Sequence, residues 1–137
     1  MKKIFSLEIK HEDDPSRVEK TQKLSLDDSK PFLGLKGVYG LYGSPEWWEN
    51  IYSGKVPSKT YEGIIDDIHF TGMHNEAEGF TLKLDNGGTY SYTCVANRRR
   101  NMKHYRVGRR AKVTTFIEVL KKGTDHEFVW QIEVENA

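Results

Sequence analysis

The sequence predicts an all-β protein in which additional N-terminal strands and one short helix precede the main set of strands. Apolar and polar residues alternate along most of the 137-residue chain, as expected for strands that bury one face. Runs rich in glycine, asparagine and aspartate separate these stretches and predict turns. The net charge of +1 and the 36% hydrophobic content indicate a folded globular protein rather than a disordered one.

The N-terminal third predicts two short strands joined by a polar connection. Residues 4–10, IFSLEIK, alternate between apolar and polar side chains, which predicts the first strand. Residues 11–20, HEDDPSRVEK, are polar and contain a proline, so a turn-rich connection is expected. Residues 22–28, QKLSLDD, alternate again and predict a second strand.

Four glycines follow at every third position, at Gly34, Gly37, Gly40 and Gly43. The repeat covers only ten residues, which is too short for a collagen-like sequence. The spacing also differs from that of a dinucleotide-binding fingerprint. This pattern favours a kinked strand whose glycines let another backbone or ring approach closely. A ligand-contacting surface is the alternative interpretation.

Residues 44–57, SPEWWENIYSGKVP, predict the single helix. Ser44 is a suitable N-terminal cap and Pro45 suits the first helical position. At helical spacing, one face carries Trp47, Trp48, Ile51 and Tyr52. We expect this aromatic face to pack in the core, and a binding site is the alternative.

From residue 58 onward the chain predicts a meander of antiparallel strands. Residues 60–73 form a long strand pattern, and residues 79–95 form a hairpin pattern around Asn86-Gly87. A further strand, a turn and a closing strand lie within residues 109–137. We expect residues 1–57 to pack on a barrel formed by residues 58–137, as one compact unit.

Residues 60–135 resemble a small OB-type β-barrel of the cold-shock and S1-like kind. The resemblance rests on EGIIDDIHF as a first strand, EGFTLKLDNGGTYSYT as the second and third, YRVGRRAKV before the fourth, and VWQIEV as the fifth. It implies a small OB-like barrel. Such barrels commonly bind single-stranded nucleic acid with stacked aromatic side chains and a basic groove.

Positive charge is concentrated in residues 97–110, NRRRNMKHYRVGRR, hereafter the basic segment. No acidic residue lies between Asp85 and Glu118, whereas residues 1–85 hold fifteen acidic and eleven basic residues. The expected phosphate contacts are Arg98, Arg99, Arg100, Lys103, Arg106, Arg109 and Arg110. His104 and Tyr105 are the expected stacking groups.

These features predict a non-enzymatic protein that binds single-stranded DNA, RNA or another polyanion through the basic segment. The alternative is a protein–protein interaction module, such as an inhibitor or immunity-type protein, that recognises an acidic partner. The positive field of the basic segment would attract either a polyanion or an acidic protein. Pairing of the arginines with the protein's own carboxylates is a third possibility.

Metal binding and catalysis have weaker support in the sequence. Metal ligands are conceivable among Asp66, Asp67, His69, His74, Glu76 and Glu78, but no recognised ligand spacing is present, so we expect no metal or other cofactor. Cys94 and His104 lack an orienting third group. Catalytic motifs such as GxSxG, HExxH and a phosphate loop are missing, so we expect no enzymatic activity. The single cysteine predicts a reducing, cytoplasmic location.

Overall fold

The computed structural model describes residues 1–74 and 77–136. The strands are β1 (Lys2–Ser6), β2 (Ser58–Thr71), β3 (Ala77–Leu84), β4 (Thr89–Thr93), β5 (Arg110–Val119) and β6 (Asp125–Val134). The helices are α1 (Leu7–Asp13), α2 (Pro15–Leu26) and α3 (Pro45–Tyr52), and a 3₁₀ helix spans Arg99–His104. Among the described residues, no helix combines the length and apolar character needed to cross a membrane.

The six strands form one sheet in the order β1-β6-β5-β2-β3-β4. Strand β1 pairs antiparallel with β6, and β3 pairs antiparallel with both β2 and β4. The predicted all-β class is therefore confirmed. The order is that of an open sheet ending at β1 and β4, and the OB-type resemblance stays a prediction.

The chain divides into two units that alternate along the sequence. The first comprises Met1–Ser6, Thr60–Thr114 and Trp130–Ala137, and the second comprises Leu7–Lys59 and Thr115–Val129. The division expected from the sequence, at residues 57 and 58, stays a prediction. In the first unit, Ile65, Phe80, Leu82, Val113 and Ile132 are fully buried, which accounts for the apolar alternation of their strands.

The second unit packs around the aromatic face of α3. Trp47 is fully buried, and its ring lies edge-on to that of Phe116, with centroids 5.4 Å apart. The hydroxyl of Ser44 accepts a hydrogen bond from the backbone N–H of Trp47 at 3.2 Å. The predicted helix, its cap and the core position of Trp47 are thus confirmed, whereas Trp48 is only half-buried.

The predicted N-terminal strands are largely wrong. Only Lys2–Ser6 is a strand, and most of the residues assigned to the polar connection and the second strand lie in α1 and α2. The Asp14 side chain caps α2 by accepting from the backbone N–H of Arg17, and Pro15 occupies the first turn. These local helix signals outweigh an alternation that rests on only two leucines.

The glycine-rich segment forms turns rather than the predicted kinked strand. Gly34, Gly37, Gly40 and Gly43 all adopt positive φ, between 76° and 104°, a region that breaks a strand. The expected close approach does occur at Gly34, where an added Cβ would lie 2.7 Å from backbone atoms of Ser25. The segment contributes one isolated bridge, between Leu35 and Leu120.

The predicted hairpin is confirmed between β3 and β4. Gly87 adopts φ of 97° in the connecting turn, and the N–H of Leu84 donates to the carbonyl of Gly88 at 2.8 Å. Strand β2 has an irregular register with β3 between Ile65 and Asp67. Gly63 precedes this bulge, and its Cα approaches the backbone of Lys83 so closely that a Cβ would overlap the carbonyl oxygen.

Candidate functional site

The basic segment is fixed at its beginning by Asn97. The Asn97 side chain accepts a hydrogen bond from the N–H of Ser6 at 2.7 Å and donates to the Ser6 carbonyl at 3.0 Å. The backbone N–H of Asn97 also donates to the carbonyl of Ile4 at 3.0 Å. These three bonds attach the segment to β1, so its side chains project from a fixed backbone.

Tyr105 anchors the segment from within. Its hydroxyl donates to the Val95 carbonyl at 2.7 Å and accepts from the Val95 N–H at 3.3 Å. The ring is buried and stacks on Phe80 with centroids 5.1 Å apart. Burial raises the pKa of the Tyr105 hydroxyl, which stays protonated. The predicted stacking role for Tyr105 is therefore wrong, because the ring already packs in the core.

The 3₁₀ helix and the turn after it present exposed cations. Within residues 1–74 and 77–136, no carboxylate forms an ion pair with Arg99, Arg100, Lys103, Arg106 or Arg109. Arg98 donates to the Asn97 carbonyl at 3.0 Å. Arg106 donates to the Lys103 carbonyl at 3.2 Å. These contacts restrict the side chains without neutralising them.

His104 adds no charge to this surface at neutral pH. Partial desolvation lowers the pKa of its imidazole below 6.5, and nearby cations, including Lys2 and Lys103, lower it further. The ring lies 3.5 Å from the guanidinium of Arg109, measured between Nδ1 and Nη1. His104 is half-buried, and the neutral imidazole serves as a polar neighbour of Arg109.

Arg110 differs from the other arginines because it is already paired. Its guanidinium donates to both carboxylate oxygens of Asp85, at 2.7 and 3.2 Å. The Glu62 carboxylate lies 3.9 Å away. The bonds from Arg110 lower the pKa of Asp85. The structure therefore assigns Arg110 an intramolecular bidentate pair, whereas the sequence predicted an external contact for it.

A second charged surface lies in the second unit and has no counterpart in the sequence predictions. It is a groove of about 640 Å³ beside α1, α2 and α3, hereafter the acidic groove. Its lining includes Glu8, Glu12, Val18, Glu19, Trp48 and Tyr52. Glu8 and Glu12 lie in α1, and Glu19 lies in α2. The missed signal for α2 was the Asp14-Pro15 cap, which predicts a helix where the sequence analysis placed a polar connection.

The geometry gives little support to a metal site or to Cys94 as a nucleophile. His69 and Asp67 form a two-residue pair, with Nδ1 and Oδ2 2.9 Å apart. Among the described residues, no three His, Cys, Asp or Glu side chains are placed to hold a metal, and Glu76 lies outside those residues. Cys94 is buried, and burial raises the pKa of its thiol to about 12, so the thiol is protonated at neutral pH.

Exposed cations on a segment fixed by backbone contacts make a surface suited to a macromolecule of opposite charge. A protein-family model described as immunity protein RhsI2 matches residues 1–135. The chain therefore belongs to the RhsI2 immunity protein family. A search of curated proteins gave no match.

The family corrects the functional prediction. Nucleic-acid binding is wrong as the main prediction, and so are the DNA- and RNA-binding roles that followed from it, because an immunity protein acts on a protein partner. The alternative, a protein–protein module of the immunity type, agrees with the family. The error has a physical origin, since carboxylates and phosphates are both anions and clustered arginines bind either.

Proposed function

We propose that this protein binds a toxin protein and blocks its activity, with an acidic surface of that toxin docked on the basic segment. The family match over residues 1–135 carries the proposal. It supports a non-enzymatic inhibitor, whose effect depends on affinity and on the surface it covers. The basic segment supplies the chemistry by which such a partner is recognised.

The basic segment is favoured as the docking surface because some of its arginines are not paired with a described carboxylate. Arg110 already holds Asp85, whereas Arg99 and Arg100 pair with no described carboxylate. An acidic partner can therefore bind these arginines without first breaking an internal ion pair. Arginine is also enriched among residues that contribute most to protein interfaces, and it forms bidentate bonds with carboxylates.

The experiment has three stages. The tagged protein captures its partner from cells that produce both, and mass spectrometry identifies the partner. The captured toxin is then produced in a sensitive host, with or without this protein, and growth is measured. We expect growth to be restored by wild type. If wild type binds but fails to protect against the captured protein, the immunity proposal is wrong.

The role of the basic segment is tested with Arg99→Ala combined with Arg100→Ala. We expect the dissociation constant for the toxin to rise about tenfold to a hundredfold, because two charge-assisted contacts are lost. The matched control is Lys55→Ala combined with Lys122→Ala, which removes the same charge from exposed positions elsewhere. Unchanged affinity in the arginine variant would exclude the basic segment as the docking surface, with immunity itself unaffected.

We also propose a cytoplasmic location. The only cysteine, Cys94, is free and buried, and a chain without disulfides is typical of reducing compartments. Fractionation of cells that produce the tagged protein tests this. Recovery from a compartment outside the cytoplasm would contradict it.

A further inference from the structure

The acidic groove of the second unit carries concentrated negative charge. Glu8, Glu12 and Glu19 all line it, and within the described part of the chain its lining contains no lysine or arginine. Glu19 has one ion pair, to Lys23 at 3.2 Å, in which both side chains are mostly exposed and which is therefore weak. Burial and the charge of Lys10 lower the pKa of His11, so that this lining imidazole is neutral at pH 7.

Two stacked aromatic side chains stand beside these carboxylates. The rings of Trp48 and Tyr52 lie 5.7 Å apart at an interplanar angle of 23°. The ring of His11 also meets that of Trp48 in an edge-on arrangement, with centroids 5.3 Å apart. Tyr52 is 59% exposed although its ring lines the groove. Aromatic side chains that are exposed in a concave site are typical of residues at protein interfaces.

A hydrogen bond joins the aromatic and acidic parts of the groove. The hydroxyl of Tyr52 donates to Oε2 of Glu8 at 3.1 Å. The bond places a carboxylate at the hydroxyl end of the Tyr52 ring, and α1 and α3 hold the two residues in helices. A cation in the groove would meet a negative charge and the electron-rich face of a ring together.

We infer that the acidic groove receives an arginine side chain from an exposed segment of the toxin. This inference rests on the proposed function and names one feature of the partner. The guanidinium stacks against Trp48 or Tyr52 and donates to the carboxylates of Glu8 and Glu12. Arginine suits this site because its planar cation stacks on aromatic rings and forms paired bonds with carboxylates.

Charge complementarity decides between this occupant and others. An anionic segment would be repelled by three carboxylates. A wholly apolar segment would cover Trp48 and Tyr52 but would remove water from the exposed carboxylate of Glu12 without replacing its hydrogen bonds, which is unfavourable. An arginine satisfies both parts of the lining, since its methylene groups pack on the rings while its head bonds the carboxylates.

The first test uses a defined probe and does not require the toxin. The peptide acetyl-Gly-Arg-Gly-amide is titrated into the ¹⁵N-labelled protein, and the indole N–H signals of the tryptophans are followed by NMR. We expect saturable shifts at Trp48 and at backbone amides of α1. The same peptide with citrulline, which keeps the shape without the charge, should give none. Equal shifts with both peptides, or no shifts with either, would overturn the inference.

Variants then assign the probe site. Glu8→Gln combined with Glu12→Gln keeps an acceptor for the Tyr52 hydroxyl and removes two charges. We expect this double variant to raise the dissociation constant for the arginine peptide about threefold to tenfold. The control is Glu49→Gln, which removes one charge at an exposed residue of α3 that does not line the groove. An affinity in the double variant equal to that of the control would contradict the assignment.

The captured toxin separates failure of this inference from failure of the proposed function. We expect the glutamine double variant to bind the toxin at least tenfold more weakly than Glu49→Gln does. If the double variant binds the toxin as wild type does while wild type protects cells, the groove inference is wrong and the immunity proposal stands. If wild type protects no cells, the proposed function is wrong whatever the peptide titration shows.

Discussion

At the scale of single residues, Glu118 is a carboxylic acid enclosed by the core of the second unit. Its side chain is fully buried, and Oε2 accepts a hydrogen bond from the indole N–H of Trp47 at 2.6 Å. Burial raises the pKa of Glu118 above 4.5, and the bond from Trp47 opposes part of that rise. Folding therefore favours the protonated acid, because the charged form loses its hydration in the core.

The raised pKa of Glu118 predicts a stability that falls as pH rises. Below pH 4.5 the group is protonated in both states and its contribution is complete, and that contribution is lost as pH passes through the raised folded pKa. Glu118→Gln keeps an oxygen for Trp47 and removes the ionisation. We expect the variant to be more stable than wild type by about 1–2 kcal/mol at pH 8 and to have a flatter pH dependence.

Urea unfolding of both proteins between about pH 5 and pH 8 measures this difference. Glu49→Gln is the control, because it removes a carboxylate from an exposed site. A Glu118→Gln protein whose stability changes with pH as steeply as that of wild type would contradict the argument.

At the scale of elements, α2 depends on a lysine distant in sequence to complete its C-terminus. The ammonium of Lys121, in the turn between β5 and β6, donates to the carbonyl of Leu24 at 2.8 Å and to that of Asp27 at 3.0 Å. The last carbonyls of a helix have no partner within it and carry partial negative charge. Here the Leu24 carbonyl also accepts from the N–H of Asp27 at 3.4 Å, and the Asp27 carbonyl from the N–H of Lys30 at 3.1 Å. Lys121 therefore adds a second donor to each carbonyl and a positive charge at the helix end.

Lys121→Met tests this contribution. The methionine keeps the apolar stem and removes the donor, so we expect a loss of about 1–2 kcal/mol in the local stability of the end of α2. Amide hydrogen exchange at residues 22–27 measures it. Lys122→Met is the matched control, since that neighbouring lysine is exposed. Equal exchange rates in the two variants would show that Lys121 does not stabilise the helix.

At the scale of the whole molecule, the net charge of +1 conceals separate charged surfaces. The basic segment belongs to the first unit and the acidic groove to the second. A local field steers a partner of opposite charge to the surface that carries it, which a uniform charge does not do. Association should therefore depend on where a charge is placed more than on how many charges there are.

Two variants of equal net charge test this expectation. Arg99→Ala with Arg100→Ala, and Lys55→Ala with Lys122→Ala, both change the net charge from +1 to −1. We expect only the arginine variant to lower the association rate for the toxin, by about tenfold at low salt. Stopped-flow mixing between about 50 and 300 mM NaCl measures the rate, and the difference should shrink as screening increases. Equal slowing by both variants would mean that net charge governs the encounter.

Sequence patterns predicted elements correctly where the evidence was local. The cap at Ser44 and the turn at Gly87 both act within a few residues, and both elements formed as expected. The strands assigned to residues 4–10 and 22–28 show the opposite case. Both alternations were short, and the first persists only as far as Ser6, where β1 ends. For residues 22–26 the cap at Asp14 indicated helix more strongly than the pattern indicated strand.

The sequence by itself determined the all-β class, helix α3, the hairpin and the concentration of cations in the basic segment. Tertiary structure alone decided that Arg110 pairs with Asp85, that Tyr105 lies in the core, and that Glu8 and Trp48 line one groove. The physical reason is the range of the interactions. Caps, turns and alternation act between near neighbours, whereas ion pairs, burial and grooves join residues that only the folded chain brings together.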